Sequence, residues 1–329
     1  MPILPRLWAV QSAFAAARPR PLLQADDAAG LIALAAAQRM AQPPRPVARQ
    51  SAGEAPSSWK GRGLDYAESR VYQPGDDLRD LHWRLLARTG RPYVRVHHEE
   101  QATAMHLLLD LRPGMAFGTR SRTKAEQAAR MLLLAASAYT LAAEGASGEV
   151  SLGIWRDTVH ATALGRGRSA LQQLARRLQT ETVEPPHAEA APSPIPTGVE
   201  GWVGHVLRRL PSGARVVLAS DGAGWDTPES DAALWALCSR AEVLLLDVRD
   251  PVEAALPPGL ESGAVEFLDL AQRQTGRLQG DARAQFAERA GRRHEARLAR
   301  WRSRGLRCIA AGVEQSDATV LQRLRALGA

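Results

Sequence analysis

Gly63–Met115 reads GLDYAESRVYQPGDDLRDLHWRLLARTGRPYVRVHHEEQATAMHLLLDLRPGM, and its closing run decides the fold. Met105–Asp110 sets four apolar residues in six ahead of a carboxylate, and a Pro-Gly turn follows. A short apolar run of this kind is a strand buried on both faces. In an open α/β sheet the functional groups gather at the carboxyl ends of such strands, which is where Asp110 stands.

Upstream, Gln73-Pro74-Gly75-Asp76-Asp77 is a turn. Pro74 presets φ, Gly75 accepts positive φ, and either aspartate can cap the helix that follows. The pattern predicts that helix over Leu78–Ala87, with Leu81, Leu85 and Trp83 turned inward. Arg88–Pro92 stops it, and strands are expected over Leu64–Tyr72 and Tyr93–His97.

Downstream of Asp110, helical and strand patterns alternate. Helices are expected at Lys124–Ala143, Ser169–Leu178, Thr197–Leu210, Ser230–Arg240 and Asp281–Arg304, with a last one from Ser316 or Asp317. Between them fall a hairpin (Val150–Trp155 with Thr158–Ala163) and strands at Arg215–Ser220, Val243–Val248, Val265–Leu268 and Leu306–Ala311. This alternation predicts an α/β fold, a doubly wound and mostly parallel sheet with helices on both faces. Ahead of it stand a helix over Asp26–Met40 and the small α+β subdomain. The expected organisation is therefore a helical and loop region over 1–58, the small subdomain over 59–102 and the main domain over 103–329.

A chain of 329 residues with 45% hydrophobic residues can bury a real core. The formal charge is +7, and Lys60 and Lys124 are the only lysines, so nearly all the positive charge is arginine. That balance fits a nucleic-acid binder, a partner with an acidic surface, or the codon bias of a GC-rich genome. Cys238 and Cys308 are far apart and form no CxxC pair, which favours a reducing compartment; the expected location is the cytoplasm. No run approaches the roughly 18 apolar residues of a bilayer span, so no transmembrane segment is expected. Leu7–Ala17 is read as a short N-terminal helix and not as a leader, because Gln11 and Ser12 interrupt it.

Arg70-Val-Tyr-Gln-Pro-Gly-Asp-Asp-Leu-Arg79, then His82-Trp83, Ala87–Pro92, Glu99-Glu100 and a strand ending in Asp110 together resemble the bacterial family called domain of unknown function 58. That family is similar to the von Willebrand factor A domain. The resemblance implies that fold, covers about Leu31–Leu327, and makes Arg70, Gly75, Asp76, Asp77, Arg79, Trp83 and Arg88 residues of a structural motif. It also implies a place for a metal. The A-domain site combines Asp-x-Ser-x-Ser after the first strand with a later threonine and a later aspartate, hard oxygen ligands suited to Mg²⁺. Here the first element reads Asp110-Leu-Arg112-Pro-Gly114, so both serines are missing, while Thr197 and Asp221 stand where the other ligands belong. The expectation is a degenerate site without metal or other cofactor, in which the guanidinium of Arg112 stands between Asp110 and Asp221.

Other constellations are weaker. The cluster Asp76, Asp77, Arg79, Asp80, His82 and Arg84 admits acid–base work by a hydrolase, but no nucleophile accompanies it and a helix cap with arginine–carboxylate pairs suits it better. His97–Glu100 alternates faces on a strand and makes no site. Gly165-x-Gly167-x-x-Ala170 lacks the buried strand that a dinucleotide fingerprint requires, and no P-loop motif occurs. Arg289, Arg292, Arg293, Arg297, Arg300 and Arg304 of Asp281–Arg304 are expected on a solvated face; with few aromatics among them, nucleic-acid binding is not expected. The functional expectation is a binding module and not an enzyme. Through the family resemblance it implies an adaptor of a MoxR-type AAA+ ATPase and its client proteins.

Overall fold

The computed structural model describes residues 20–38, 65–73, 79, 81–98, 103–142, 147–183, 199–208, 210–211, 213–256, 266–269, 274–277 and 282–327. The chain divides into two compact units, Arg45–Ala102 and the combination of Met1–Pro44 with Thr103–Ala329. Helix α1 (Ala25–Gln38) therefore belongs to the larger unit and not to an N-terminal region of its own. The reason is apolar: Leu22, Leu23, Ala28, Leu31 and Ala35 are buried in that unit's core.

The smaller unit contains β1 (Asp65–Val71), α2 (Trp83–Thr89) and β2 (Tyr93–His98). The two strands pair antiparallel from Asp65↔His98 to Val71↔Tyr93. Gly75, Asp76 and Asp77 lie outside the described residues, as does the side chain of Arg70. The helix begins five residues later than the expected Leu78. Leu81 is drawn into a bridge with Val94 and buried, so helical backbone cannot start before it. His82, and neither aspartate, is the cap: its Nδ1 accepts the Leu85 N–H at 3.1 Å. Gly90, at φ 67°, closes the helix by donating its N–H to Leu86 O. With only two turns, α2 half-buries Leu85 and Leu86 and leaves Trp83 63% exposed, against the inward position expected for it. Arg88 is exposed on the last turn.

The larger unit runs β3 (Thr103–Asp110), α3 (Lys124–Ala142), β4 (Ser147–Trp155), β5 (Val159–Arg166), α4 (Gly167–Thr180), α5 (Val199–Leu207) and β6 (Arg215–Ser220). It continues with α6 (Pro228–Cys238), β7 (Glu242–Arg249), α7 (Pro251–Ala254), β8 (Glu266–Asp269), β9 (Gln274–Arg277), α8 (Ala282–Ser303), β10 (Arg307–Gly312) and α9 (Asp317–Ala326). The six-stranded sheet has the order β10-β7-β6-β3-β4-β5. All its pairings are parallel except β4–β5, the expected hairpin. The expected short strand at Val265–Leu268 is β8, which pairs with β9 in a ribbon of its own instead of joining the sheet.

Strand side chains alternate between two helical layers, as pleating requires. Met105, Leu107 and Leu109 of β3 join the core made with α1, α3, α4 and α9, whereas Leu108 faces α5, α6 and α8. Helix α3 is buried over most of its circumference (Ala128, Met131–Ala136), because the sheet lies on one side and α1 on another. A helix apolar all round is the sequence mark of such a position. On the opposite layer Trp155 stacks on Trp225, with ring centroids 6.4 Å apart, and Trp225 meets Trp301 in a tilted contact at 5.7 Å. Gly222, at φ 65°, is required there: a Cβ would lie 2.3 Å from Trp301.

Trp301 is thus the anchor of α8. Trp301→Ala should lower the unfolding free energy by about 3–5 kcal/mol, whereas Trp235→Ala, at a side chain 58% exposed, should change it by no more than about 0.5 kcal/mol. Urea midpoints of the two variants measure this directly.

Candidate functional site

Asp110 ends β3 and Ser220 ends β6, its neighbour in the sheet. In register across the sheet lie Trp155, Asp110, Ser220 and Asp247, one from each of four strands. Strands β3, β4 and β6 end at this level, whereas β7 continues two residues beyond Asp247 to Arg249. Arg112 follows on the turn after β3, Asp221 on the turn after β6, and Lys124 opens α3.

Asp110 is completely buried and its carboxylate is fully matched. Oδ1 accepts the Arg112 backbone N–H at 3.0 Å and Nε–H at 2.9 Å; Oδ2 accepts Arg112 Nη2 at 2.6 Å and Ser220 Oγ at 2.7 Å. A carboxylate offers about four acceptor directions, and here all are taken. The Arg112 guanidinium also donates to Ala223 O at 3.0 Å and lies 3.9 Å from the centroid of the Trp155 ring. Burial alone would lower the pKa of Arg112, but the bond and charge of Asp110, with the charge of Asp221, leave it raised.

Asp221 has a different cation. Lys124 Nζ donates to Asp221 Oδ2 at 2.7 Å and to Glu253 Oε1 at 2.6 Å, with the lysine only 3% exposed. Asp221 Oδ1 accepts the Ala223 N–H at 2.9 Å. Burial opposes ionisation of both partners. The paired charges outweigh it, so the Asp221 carboxyl is held below, and the Lys124 ammonium above, its ordinary pKa. From Glu253 the network continues into a capping box. Glu253 Oε2 accepts the Asp250 N–H, and buried Asp250 accepts from Val252 N, Thr119 N and Thr119 Oγ1. The loops after β3, β6 and β7 and the start of α3 are tied together in this way.

The expected bridge, one guanidinium shared by Asp110 and Asp221, is therefore replaced by one cation for each carboxylate. Thr197 lies outside the described residues. The donor set does not fit a divalent cation, since Arg112 and Lys124 hold the oxygens a metal would need. A Cβ at Gly114 would lie 3.8 Å from Asp221 Oδ2. Lys124, Glu253, Asp250 and Thr119 were not among the candidates read from sequence. Asp250-x-x-Glu253 is nevertheless a legible capping box, and Lys124 is one of only two lysines.

One member of the row is unmatched. Asp247 is buried on β7 under α8, with neither oxygen hydrogen-bonded among the described residues. Arg297 Nη2 is 3.9 Å from Oδ1 and His294 Nδ1 3.7 Å from Oδ2. Burial raises the Asp247 carboxyl to about 6, despite the charges of Arg297 and Arg249. Burial, then Arg249, Arg297 and Arg302, lower His294 to about 4, so at neutral pH the imidazole is uncharged and makes no salt bridge. Elsewhere, Ser151 Oγ and His106 Nδ1 meet at 2.7 Å as a cross-strand pair four residues before Asp110, on regular strands.

Lys124→Met should destabilise by about 3–5 kcal/mol, the cost of leaving buried carboxylates without their cation. Mg²⁺ or Mn²⁺ should leave the wild-type melting temperature unchanged, whereas a real site at 100-fold over its Kd would add about 2.7 kcal/mol. Differential scanning calorimetry reads both.

The Asp247–His294 pair yields an opposed pH response. Asp247 titrates higher in the fold than unfolded, so its contribution falls as pH rises from about 4 to 6. His294 titrates lower in the fold, so its contribution rises between about 4 and 6.5. In Asp247→Asn stability should therefore increase with pH across this window more steeply than in wild type, and in His294→Gln less steeply or in reverse. Denaturation midpoints at pH 4.5, 5.5 and 6.5 separate the two.

An uncharacterized protein of Mycobacterium bovis and one of Mycobacterium tuberculosis are each 30% identical to this chain over 205 residues, 60% of it. The chain matches 58% of the length of these relatives. Among solved structures, the conserved hypothetical protein BatB from Bacteroides thetaiotaomicron covers 68% of this chain and 97% of its own, at 12% identity and TM-score 0.38. An aerotolerance-related membrane protein from Bacteroides fragilis covers the same shares at 14% and 0.40. A von Willebrand factor type A structure from Catenulispora acidiphila covers 72% of this chain and 43% of its own, at 10% and 0.35. Among the described residues no helix is long and apolar enough to cross a membrane. The family described as protein of unknown function DUF58 matches residues 68–297, most of both units, and the chain belongs to it.

Proposed function

We propose that this protein is a protein-interaction module of the cytoplasm, an adaptor that couples a MoxR-type AAA+ ATPase to the proteins it assembles or matures. The observation that carries the reading is the closed carboxyl edge of the sheet. Where an α/β fold would keep its reactive groups free, Asp110, Asp221, Asp250 and Glu253 are each bound to an internal donor or cation. That arrangement sets loop geometry and commits those carboxylates to internal partners, Asp110 completely. His82 of the alternative hydrolase cluster uses Nδ1 to cap α2, which also favours a structural part for it. The arginine-rich α8 is partly committed to internal pairs, Arg300 and Arg304 with Asp231. This weakens the nucleic-acid alternative. The sequence has no P-loop of its own, so ATP-driven work requires a partner. The kind of ATPase is what the family resemblance drawn from the sequence implies. The unbonded Cys238 and Cys308, whose thiols burial pushes up to about 12, accord with a reducing compartment.

The adaptor reading requires that a MoxR-type ATPase from the same genome co-purify with this chain and that its ATP turnover change when the chain is added. Absence of binding at micromolar concentrations, with turnover unaltered, would refute the reading.

A further inference from the structure

We infer that the exposed face of α2, Trp83 with Arg84, Arg88 and the adjoining Arg91, is the surface through which this protein docks an acidic surface of a partner protein. The inference rests on the interaction-module reading and names the surface that serves it.

Residue type and placement disagree at α2. Tryptophan is among the most costly side chains to leave in water, yet Trp83 is 63% exposed, and α2 buries none of its residues completely. Neither terminus of the helix depends on Trp83: His82 caps the start and Gly90 the end. Arg88, expected to hold the subdomain together, is also exposed and takes part in no ion pair among the described residues, as do Arg84 and Arg91. A lone exposed tryptophan such as Trp235 marks nothing by itself, but at α2 the tryptophan is grouped with exposed arginines, the composition of a binding surface.

The chemistry of the patch selects the occupant. Arg84 and Arg88 lie one turn apart on the same side of α2, and Trp83 lies beside them, one turn from the half-buried Leu86. Helix α2 itself contains no acidic residue, and among the described residues its arginines have no ion-pair partner around the aromatic. Trp and Arg are the side chains most enriched in binding hot spots: each supplies contact area, and the guanidinium pairs with carboxylates in two-point geometry. The exposed arginines 289 and 293 of α8 offer a contrast, since Glu288 and Glu295 are interleaved with them and no exposed aromatic accompanies them. Single-stranded nucleic acid fits α2 less well. It needs successive aromatic platforms, and one tryptophan on two turns of helix supplies a single one.

The test uses the full chain in four forms: wild type, Trp83→Ala, the pair Arg84→Glu with Arg88→Glu, and Trp235→Ala as a second exposed tryptophan on another helix. Melting temperatures should agree among all four, which separates a docking role from a structural one. Binding is measured by titration calorimetry against the MoxR-type ATPase and against short poly-L-glutamate, at two salt concentrations, with oligo(dT) and phosphatidylglycerol vesicles as the competing anions. Trp83→Ala and the double charge reversal should each weaken ATPase binding at least tenfold, and the reversal should abolish poly-glutamate binding, while Trp235→Ala behaves as wild type. Wild-type binding to poly-glutamate that depends on Arg84 and Arg88, without any ATPase binding, would refute the adaptor reading and leave the surface standing. The surface inference is overturned if both variants bind like wild type, or if wild type binds neither acidic probe. It is also overturned if the variants lose only oligo(dT) binding, vesicle binding or self-association, or if Trp83→Ala lowers the melting temperature substantially.

Discussion

Charge matching inside the sheet's carboxyl edge is the constraint on which the larger unit depends. Asp110, Lys124, Asp221 and Asp250 are all buried, and removing a charged group from water costs several kcal/mol unless a partner takes the place of the solvent. Each therefore dictates where something else must be. Arg112 must fold back over Asp110, Lys124 must enter between Asp221 and Glu253, and Thr119 must reach Asp250. Buried ion pairs of this kind add little net stability compared with apolar side chains of equal volume, while breaking one is expensive. Their effect is on specificity: four separate chain segments have one arrangement that satisfies every charge.

The same logic explains the tryptophans beneath. Arg112 keeps its charge in a poorly solvated place because Asp110 binds one edge of the guanidinium and the Trp155 ring lies against its face. Trp155 stacks on Trp225, and Trp225 packs at a tilt against Trp301, so the packing runs from the site to α8. Close approach at the far end demands a glycine at 222. Helix α8 is held by this anchor and by Arg300 and Arg304 on Asp231, and the weakly matched Asp247 lies under its middle. The helix is well fixed at its carboxyl end and carries an electrostatic cost further back.

Most of the α/β framework was legible from residues alone, because its signals are local. Met105–Asp110, Arg215–Ser220 and Val243–Val248 are apolar runs of strand length, and Lys124–Ala143 carries Ala128, Met131, Leu132 and Ala135 on one helical face, although the fold covers it on several sides. Arg112 could be read as the cation for Asp110 because two residues separate them and the turn returns the side chain onto the carboxylate. Lys124 could not: it meets Asp221 and Glu253 across 97 and 129 residues of chain, a contact that exists only once the sheet is assembled. The start of α2 was misplaced for a related reason. Asp76 and Asp77 have the right propensity for a cap, but the pairing of Leu81 with Val94 decides where helical backbone begins, and His82 takes the capping role. Once that start moves by five residues, the inward face of the helix changes and Trp83 turns outward.

The use of lysine at one position in an otherwise arginine-rich chain follows from shape. An ammonium is compact, and its three donors can be divided between two carboxylates that approach from different loops; a planar guanidinium matches one carboxylate edge-on, as Arg112 does with Asp110. At position 124 the cation must fit at the first turn of α3, between the loops after β6 and β7, where the side chain is almost completely enclosed. A guanidinium there would need a flat slot and a single in-plane partner, and Asp221 and Glu253 do not form one. Where there is room an arginine also spans two carboxylates, as Arg130 does between Asp317 and Asp27, so the compact ammonium is set at 124 by the enclosure of that position. The carboxylates of this edge are therefore held by two cations of different shape, Arg112 on Asp110 and Lys124 between Asp221 and Glu253.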